Sequence, residues 1–134
     1  MPEGTLLIVD DQPQNIRLLY ELLTREGYRV LVARDGAAAL QRVAYGAPEL
    51  ILLDVLMPEM DGSEVCRRLK SSPEHRHLPI LFMTALAETE RKVEGLSMGA
   101  SDYITKPFQA DEVLARVRTH LQIARLQRTL EPVS

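Results

Sequence analysis

The chain reads as an α/β domain, a parallel sheet with helices wound over both faces, and three observations predict it. Strand-like and helix-like patterns alternate five times along 134 residues. Three strand patterns, Leu6-Leu7-Ile8-Val9, Leu50-Ile51-Leu52-Leu53 and Ile80-Leu81-Phe82-Met83, are continuously apolar, as strands buried on both faces are. Two of these runs stop abruptly in acid, Asp10-Asp11 after the first and Asp54 after the second. An open α/β sheet places its chemistry at that end of its strands.

The elements follow in order. Strands are expected at Thr5 to Val9, Arg29 to Val32, Leu50 to Leu53, Ile80 to Met83 and Asp102 to Ile104. The second and fifth are less apolar and belong at the edges. The first helix carries Ile16, Leu19, Tyr20 and Leu23 at spacings of three and four, and Gly27 closes it. Asp35 can cap a second helix bearing Leu40, Val43 and Ala44, which ends near Gly46 and Pro48. Ser63 can cap a third, with Val65, Cys66 and Leu69 on one face. A weaker fourth pattern runs from Glu88 to Met98 and stops at Gly99. The final helix begins near Ala110 and carries Val113, Leu114, Val117 and Leu121. Right-handed crossovers then put helices on both faces. The final pattern continues through Ile123, Leu126 and Leu130 to Pro132, a helix of about 30 Å at 1.5 Å per residue. Leu126 and Leu130 are therefore exposed, packed on a second copy, or leading into another domain.

Length and an apolar content of 46% fit one domain with a real core. A net charge of −3 argues against direct nucleic-acid binding, because a surface that tracks phosphates needs clustered Lys and Arg. Arg116, Arg118, Arg125 and Arg128 near the end read as a solvated helix face, where cations suit the helix terminus. One cysteine, Cys66, excludes an internal disulfide and reads as a buried, inert thiol. No apolar run approaches a membrane span and no signal pattern opens the chain. A soluble, cytoplasmic protein without membrane binding is expected.

Asp10, Asp11 and Asp54 at neighbouring strand ends suit a hard cation that takes oxygen ligands, and magnesium needs only one or two carboxylates besides water and phosphate. Two carboxylates about 4 Å apart repel by roughly 4 kcal/mol at an effective dielectric near 20, so the cluster calls for a cation. Lys106 supplies one. Asp10 or Asp11 can also cap the first helix. Asp54 is placed as a nucleophile for phosphoryl transfer, attacking phosphorus in line to give an acyl phosphate. Lys106 and the Thr84 hydroxyl would address oxygens of the transferred group.

Four segments carry a resemblance: Ile8-Val9-Asp10-Asp11, Leu53 to Gly62 (LDVLMPEMDG), Met83-Thr84-Ala85, and Gly99 to Phe108 (GASDYITKPF). In order, and across about Thr5 to Gln122, they resemble the signatures of a bacterial two-component response-regulator receiver domain of the chemotaxis-receiver-like superfamily. The resemblance implies a flavodoxin-like (βα)5 fold with strand order 2-1-3-4-5 and a phosphorelay function without enzymatic turnover of an external substrate. It implies that Asp54 accepts phosphate from a histidine kinase or phosphotransfer protein. It also implies that Asp10, Asp11, Asp54 and the backbone carbonyl of Leu56 hold Mg²⁺. Lys106 would pair with the acceptor and then with the phosphoryl group, while Thr84 and Tyr103 act as the switch. The Lys106–Pro107 bond is expected cis. The domain is read as residues 1–122, with 123–134 a helical extension or linker to a possible fused output domain. A homodimer through the fourth helix, fifth strand and final helix would cover the extension.

Two positions depart from the pattern. Leu56 and Leu86, each two residues after a site residue, stand where the family often carries polar side chains that influence the water attacking the acyl phosphate. Three other readings compete. A haloacid-dehalogenase-like phosphatase would need a second acid at position 56. A flavin carrier would need a Ser/Thr/Gly phosphate loop where Asp10-Asp11-Gln12-Pro13-Gln14 stands. A degenerate receiver would act as a phosphorylation-independent interaction module, yet every residue the chemistry needs is present. His75 and His77, in a loop bounded by Pro73 and Pro79, read as solvent-exposed, and His120 as near solvent on the last helix.

Overall fold

The structure is a computed structural model that describes residues 4–55, 57, 59–85 and 99–130, the side chains of 129 and 130 excepted. In chain order it runs β1 (Thr5–Val9), α1 (Pro13–Arg25), β2 (Arg29–Ala33), α2 (Gly36–Gly46), β3 (Leu50–Asp54), α3 (Gly62–Lys70), β4 (Ile80–Ala85), β5 (Asp102–Lys106) and α4 (Ala110–Leu130). The helix expected over Glu88 to Met98 lies outside the described residues. All the strands pair in parallel in the order β2-β1-β3-β4-β5, the flavodoxin-like arrangement, with the two less apolar strands at the edges.

Side-chain alternation divides the core between the two faces. Leu7, Val9, Ile51, Leu53, Ile80 and Phe82 pack under α2 and α3. Leu6, Ile8, Leu50, Leu52, Leu81 and Met83 pack under α1 and α4. A strand buried on both faces cannot alternate apolar with polar, which is why the central runs are unbroken.

Local details depart from the sequence reading at instructive points. β3, β4 and β5 extend past their apolar runs to take in Asp54, Thr84, Ala85, Thr105 and Lys106. The ladder continues there, with Asp54 opposite Met83 and Thr84 opposite Thr105, because main-chain pairing is indifferent to side-chain polarity. Asp35 caps α2 as expected, its carboxylate accepting the Ala38 N–H at 2.8 Å. Ser63 does not cap α3. Asp61 does, accepting the Glu64 N–H at 3.0 Å, which starts the helix at Gly62, two residues earlier than a Ser63 cap would. Tyr20 is exposed, because α1 buries Leu19 and Leu23 at a spacing of four and turns Tyr20 outward. In α2, Ala39 and Val43 are buried while Ala44 is exposed.

Candidate functional site at the carboxyl end of the sheet

Strand register brings the site together. Val9 lies opposite Leu53, so Asp10 and Asp54 emerge side by side from β1 and β3, and Lys106 ends β5 opposite Ala85 of β4. Continuing the alternation of each strand, Asp10, Asp54 and Lys106 belong to the face that carries α1 and α4. Thr84 and Tyr103 belong to the opposite face, with Phe82.

Asp10 is fully buried and Asp54 only 4% exposed. Oxygens of Asp10, Asp11 and Asp54 all lie within 4.8 Å of one another. The Lys106 ammonium sits 3.2 Å from Asp54 Oδ1 and 3.5 Å from Asp10 Oδ2. Asp10 also accepts the Gln12 N–H on Oδ1 at 2.9 Å and the Asn15 side-chain amide on Oδ2 at 3.2 Å. Neither acid caps α1 in the usual way: Gln12 is the N-cap residue and makes no side-chain cap bond, and Pro13 starts the helix. Three carboxylates cluster here, and one ammonium is shared by two of them, Asp10 and Asp54. Coulomb repulsion between neighbours of that kind amounts to about 4 kcal/mol per pair at 4 Å and a dielectric near 20, so a compact divalent cation relieves it. The donor set is wholly carboxylate oxygen, which fits magnesium and not a soft metal.

The loop behind Asp54 is tightly drawn. Gly62 donates its N–H to Val55 O at 2.9 Å, and a Cβ added there would lie 2.3 Å from the Asp54 carbonyl oxygen. Only glycine permits that approach. Glu59 takes a φ of 66°, left-handed backbone that a non-glycine residue adopts rarely. Leu56, whose carbonyl is the remaining expected metal ligand, lies outside the described residues, and so does Leu86.

A sequence model of one family, the response regulator receiver domain, matches residues 6–118. The chain belongs to the receiver family. It is 48% identical over 114 residues to the response regulator PleD of Caulobacter vibrioides, covering 85% of this chain and 25% of that protein. It is 45% identical over 117 residues to the alkaline phosphatase synthesis regulatory protein PhoP of Bacillus subtilis, covering 87% and 48%. Among solved structures, the signal receiver domain of a histidine kinase from Syntrophus aciditrophicus superposes with a TM-score of 0.83 at 34% identity, over 98% of this chain and 95% of that one. NtrX from Brucella abortus superposes with a TM-score of 0.90 at 28% identity, over 96% of this chain and 30% of that one. The chain thus spans a quarter to about half the length of these curated relatives. As a receiver it is a component of two-component signal transduction.

The two residues expected to act as the switch, Thr84 and Tyr103, lie on neighbouring strands β4 and β5. Thr84 is buried at the end of β4, its hydroxyl donating to Ala85 O at 3.4 Å. Tyr103 is partly buried, with its ring centroid 5.9 Å from that of Phe82 and tilted by 45°. The Lys106–Pro107 bond is cis, as the resemblance implies.

Away from the acids, several expectations meet a more specific arrangement. His120 is not a solvent-facing residue. Its side chain is only 15% exposed, and Nε2 lies 2.9 Å from Asp102 Oδ2. Arg116 bonds the same oxygen at 2.6 Å, and the Tyr103 N–H bonds Asp102 Oδ1 at 2.8 Å. Burial alone would raise Asp102, but the bonds from His120, the Tyr103 N–H and Arg116 outweigh it and hold the carboxyl below its usual range. This link between β5 and α4 escaped the sequence reading because its partners are 14 and 18 residues away. Asn15 escaped for a different reason: an asparagine in the first turn of a helix reads as ordinary capping chemistry. Arg125 and Arg128 pair with Glu49 at 2.6 and 3.6 Å. His77 is exposed and His75 half-buried, with Nδ1 3.3 Å from the Ser72 hydroxyl. Cys66 is buried, and desolvation pushes its thiol up despite the nearby Lys70. Its burial agrees with the expectation of a buried thiol. No described helix is long and apolar enough to cross a membrane.

Proposed function

We propose that this receiver takes a phosphoryl group from the phosphohistidine of a histidine kinase or phosphotransfer protein onto Asp54, in a Mg²⁺-dependent reaction. One observation carries the reading: a nearly buried strand-end carboxylate stands within 3.2 Å of an ammonium and shares a 4.8 Å cluster with two further acids. The Asp54 oxygen would bond to phosphorus as the bond from phosphorus to the donor imidazole nitrogen breaks, leaving an acyl phosphate and a neutral imidazole. Asp10, Asp11 and Asp54, with the Leu56 carbonyl, would hold the Mg²⁺, which supplies charge neutralisation for the phosphoryl oxygens. Lys106 starts between Asp10 and Asp54 and can follow the phosphoryl group without leaving the cluster. Thr84 would bond a phosphoryl oxygen, and Tyr103 would turn further inward behind it. Added charge and strong acceptor oxygens make that rearrangement favourable.

The output belongs to the same proposal. On this reading residues 1–122 are the receiver, and 123–134, helical as far as Leu130, are an extension or linker toward a possible fused output domain or a second copy. Leu126 is 62% exposed and Ile123 44% exposed on the last turns of α4. A homodimer through β5, α4 and the helix expected over Glu88 to Met98 would bury both. Analytical ultracentrifugation should show self-association that strengthens with beryllofluoride and weakens in Leu126→Glu. A monomer under every condition would assign the stripe to another domain.

Binding of Mg²⁺ with beryllofluoride, a stable mimic of the acyl phosphate, tests the receiver chemistry. Amide NMR shifts should appear around residues 84, 103 and 106 only when both are present. A spectrum that ignores both would mark a receiver that works as a phosphorylation-independent interaction module.

A further inference from the structure

We infer that Asn15 is a positioning residue for the acidic cluster: its side-chain amide sets the orientation of Asp10 and thereby the affinity of the site for a divalent cation. The inference rests on the metal-dependent reading of the site and adds to it a residue outside the cluster. Asp10 is fully buried, and it precedes a helix whose N-terminus has no side-chain cap and no acid in its first turn. Its two oxygens are held separately. Oδ1 takes the Gln12 N–H at 2.9 Å, and Oδ2 takes the Asn15 amide at 3.2 Å and Lys106 at 3.5 Å.

The two neutral donors matter because of what they leave to the cation. A buried carboxylate must be satisfied. Without Asn15, Oδ2 would depend on Lys106 alone, and the ammonium would be drawn from Asp54 toward Asp10. With Asn15, the Asp10 plane is fixed from the helix side, and Lys106 stays nearer Asp54, at 3.2 Å. Donors that orient a ligating carboxylate commonly change metal affinity by 10- to 100-fold when removed. Asn15 is half-buried in the first turn of α1, so a substitution can remove the donor without opening the core.

Asn15→Leu keeps the approximate volume and removes the donor. Isothermal titration with Mg²⁺, in the absence of any phosphodonor, should show affinity about 10-fold weaker than in the parent. The Mg²⁺ concentration giving half the maximal rate with acetyl phosphate should rise in step, while the rate at saturating Mg²⁺ stays within about twofold, since the residue acts through Asp10. Gln14→Leu alters an exposed side chain of the same turn and should leave both quantities unchanged. Thermal unfolding in EDTA confirms that both variants fold. Unchanged Mg²⁺ affinity in Asn15→Leu, or an equal loss in Gln14→Leu, overturns the assignment. A parent protein that does not bind Mg²⁺ at all would instead overturn the metal-dependent reading beneath it.

Discussion

The two ends of the sheet carry similar side chains under opposite conditions. At the carboxyl end, Asp10, Asp11 and Asp54 crowd within 4.8 Å; Asp10 and Asp54, almost wholly out of water, share the Lys106 ammonium. At the amino end, Glu49 meets two guanidiniums, Arg125 and Arg128, and all three side chains are at least 28% exposed. Acid is in surplus in the dry place and cation in the wet one. Excess charge near water is screened cheaply, whereas the same excess in a low dielectric is a standing demand for a ligand. The amino end fastens a helix. The carboxyl end gathers acids that could hold a metal ion, and we propose that a phosphoryl group is received there.

Removing the shared ammonium should break the carboxyl end most severely. Lys106→Ala is expected to lower the initial rate of phosphorylation by acetyl phosphate about 100-fold at saturating Mg²⁺, the scale of losing one preorganised charge partner. Glu49→Gln, assayed alongside by intact-protein mass spectrometry, should leave the rate unchanged. Comparable losses in the two variants would erase the distinction between the ends.

Geometry at the carboxyl end should show in stability. Gly62→Ala puts a methyl group 2.3 Å from the Asp54 carbonyl oxygen, an overpacking that costs about 2 kcal/mol. Urea unfolding would measure it, and a loss below about 0.5 kcal/mol would mean that the loop behind Asp54 yields more easily than its packing implies. Asp11→Asn should act in the opposite direction, stabilising the metal-free protein by about 1 kcal/mol in EDTA by relieving like-charge repulsion. It should also reduce the stabilisation that Mg²⁺ confers. Glu49→Gln should destabilise by less than about 1 kcal/mol, as exposed pairs do.

The smallest effect concerns pH. Asp102 is held below its ordinary value of 3.8 by His120, the Tyr103 N–H and Arg116, which together outweigh its burial. A carboxyl whose folded pKa is depressed contributes stability above the unfolded value and loses it as pH falls through the folded one. The link between β5 and α4 should therefore be intact at neutral pH and weaken below about pH 4. Urea midpoints of the parent and Asp102→Asn should converge as pH drops through that window. A gap that persists at the acid end would remove Asp102 from the account of acid stability.

Much of this was legible in the chain. Unbroken apolar runs at Leu6–Val9, Leu50–Leu53 and Ile80–Met83 require strands covered on both faces, and the acids that end two of them mark the functional edge. What the residues did not disclose lies in contacts distant in sequence or chosen between near-equivalents. Asp61 and Ser63 both suit a helix N-terminus, and only the packing of Gly62 against Asp54 selects Asp61. His120 follows an ordinary solvated helix pattern until Asp102, 18 residues earlier, turns toward it. Asn15 looks like capping chemistry until Asp10 is found above it. Apolar periodicity reports burial well; polar partnerships across elements leave no periodic trace.

The central claim is that the surplus acid at the carboxyl end includes a phosphoacceptor. Intact and peptide mass spectrometry after incubation with acetyl phosphate and Mg²⁺, on the parent and on Asp54→Asn, addresses it most directly. The account predicts one phosphoryl group on the parent, located at Asp54 and absent in EDTA, and no labelling of Asp54→Asn. Undiminished labelling of Asp54→Asn at another residue, or labelling of the parent that persists in EDTA, would contradict it.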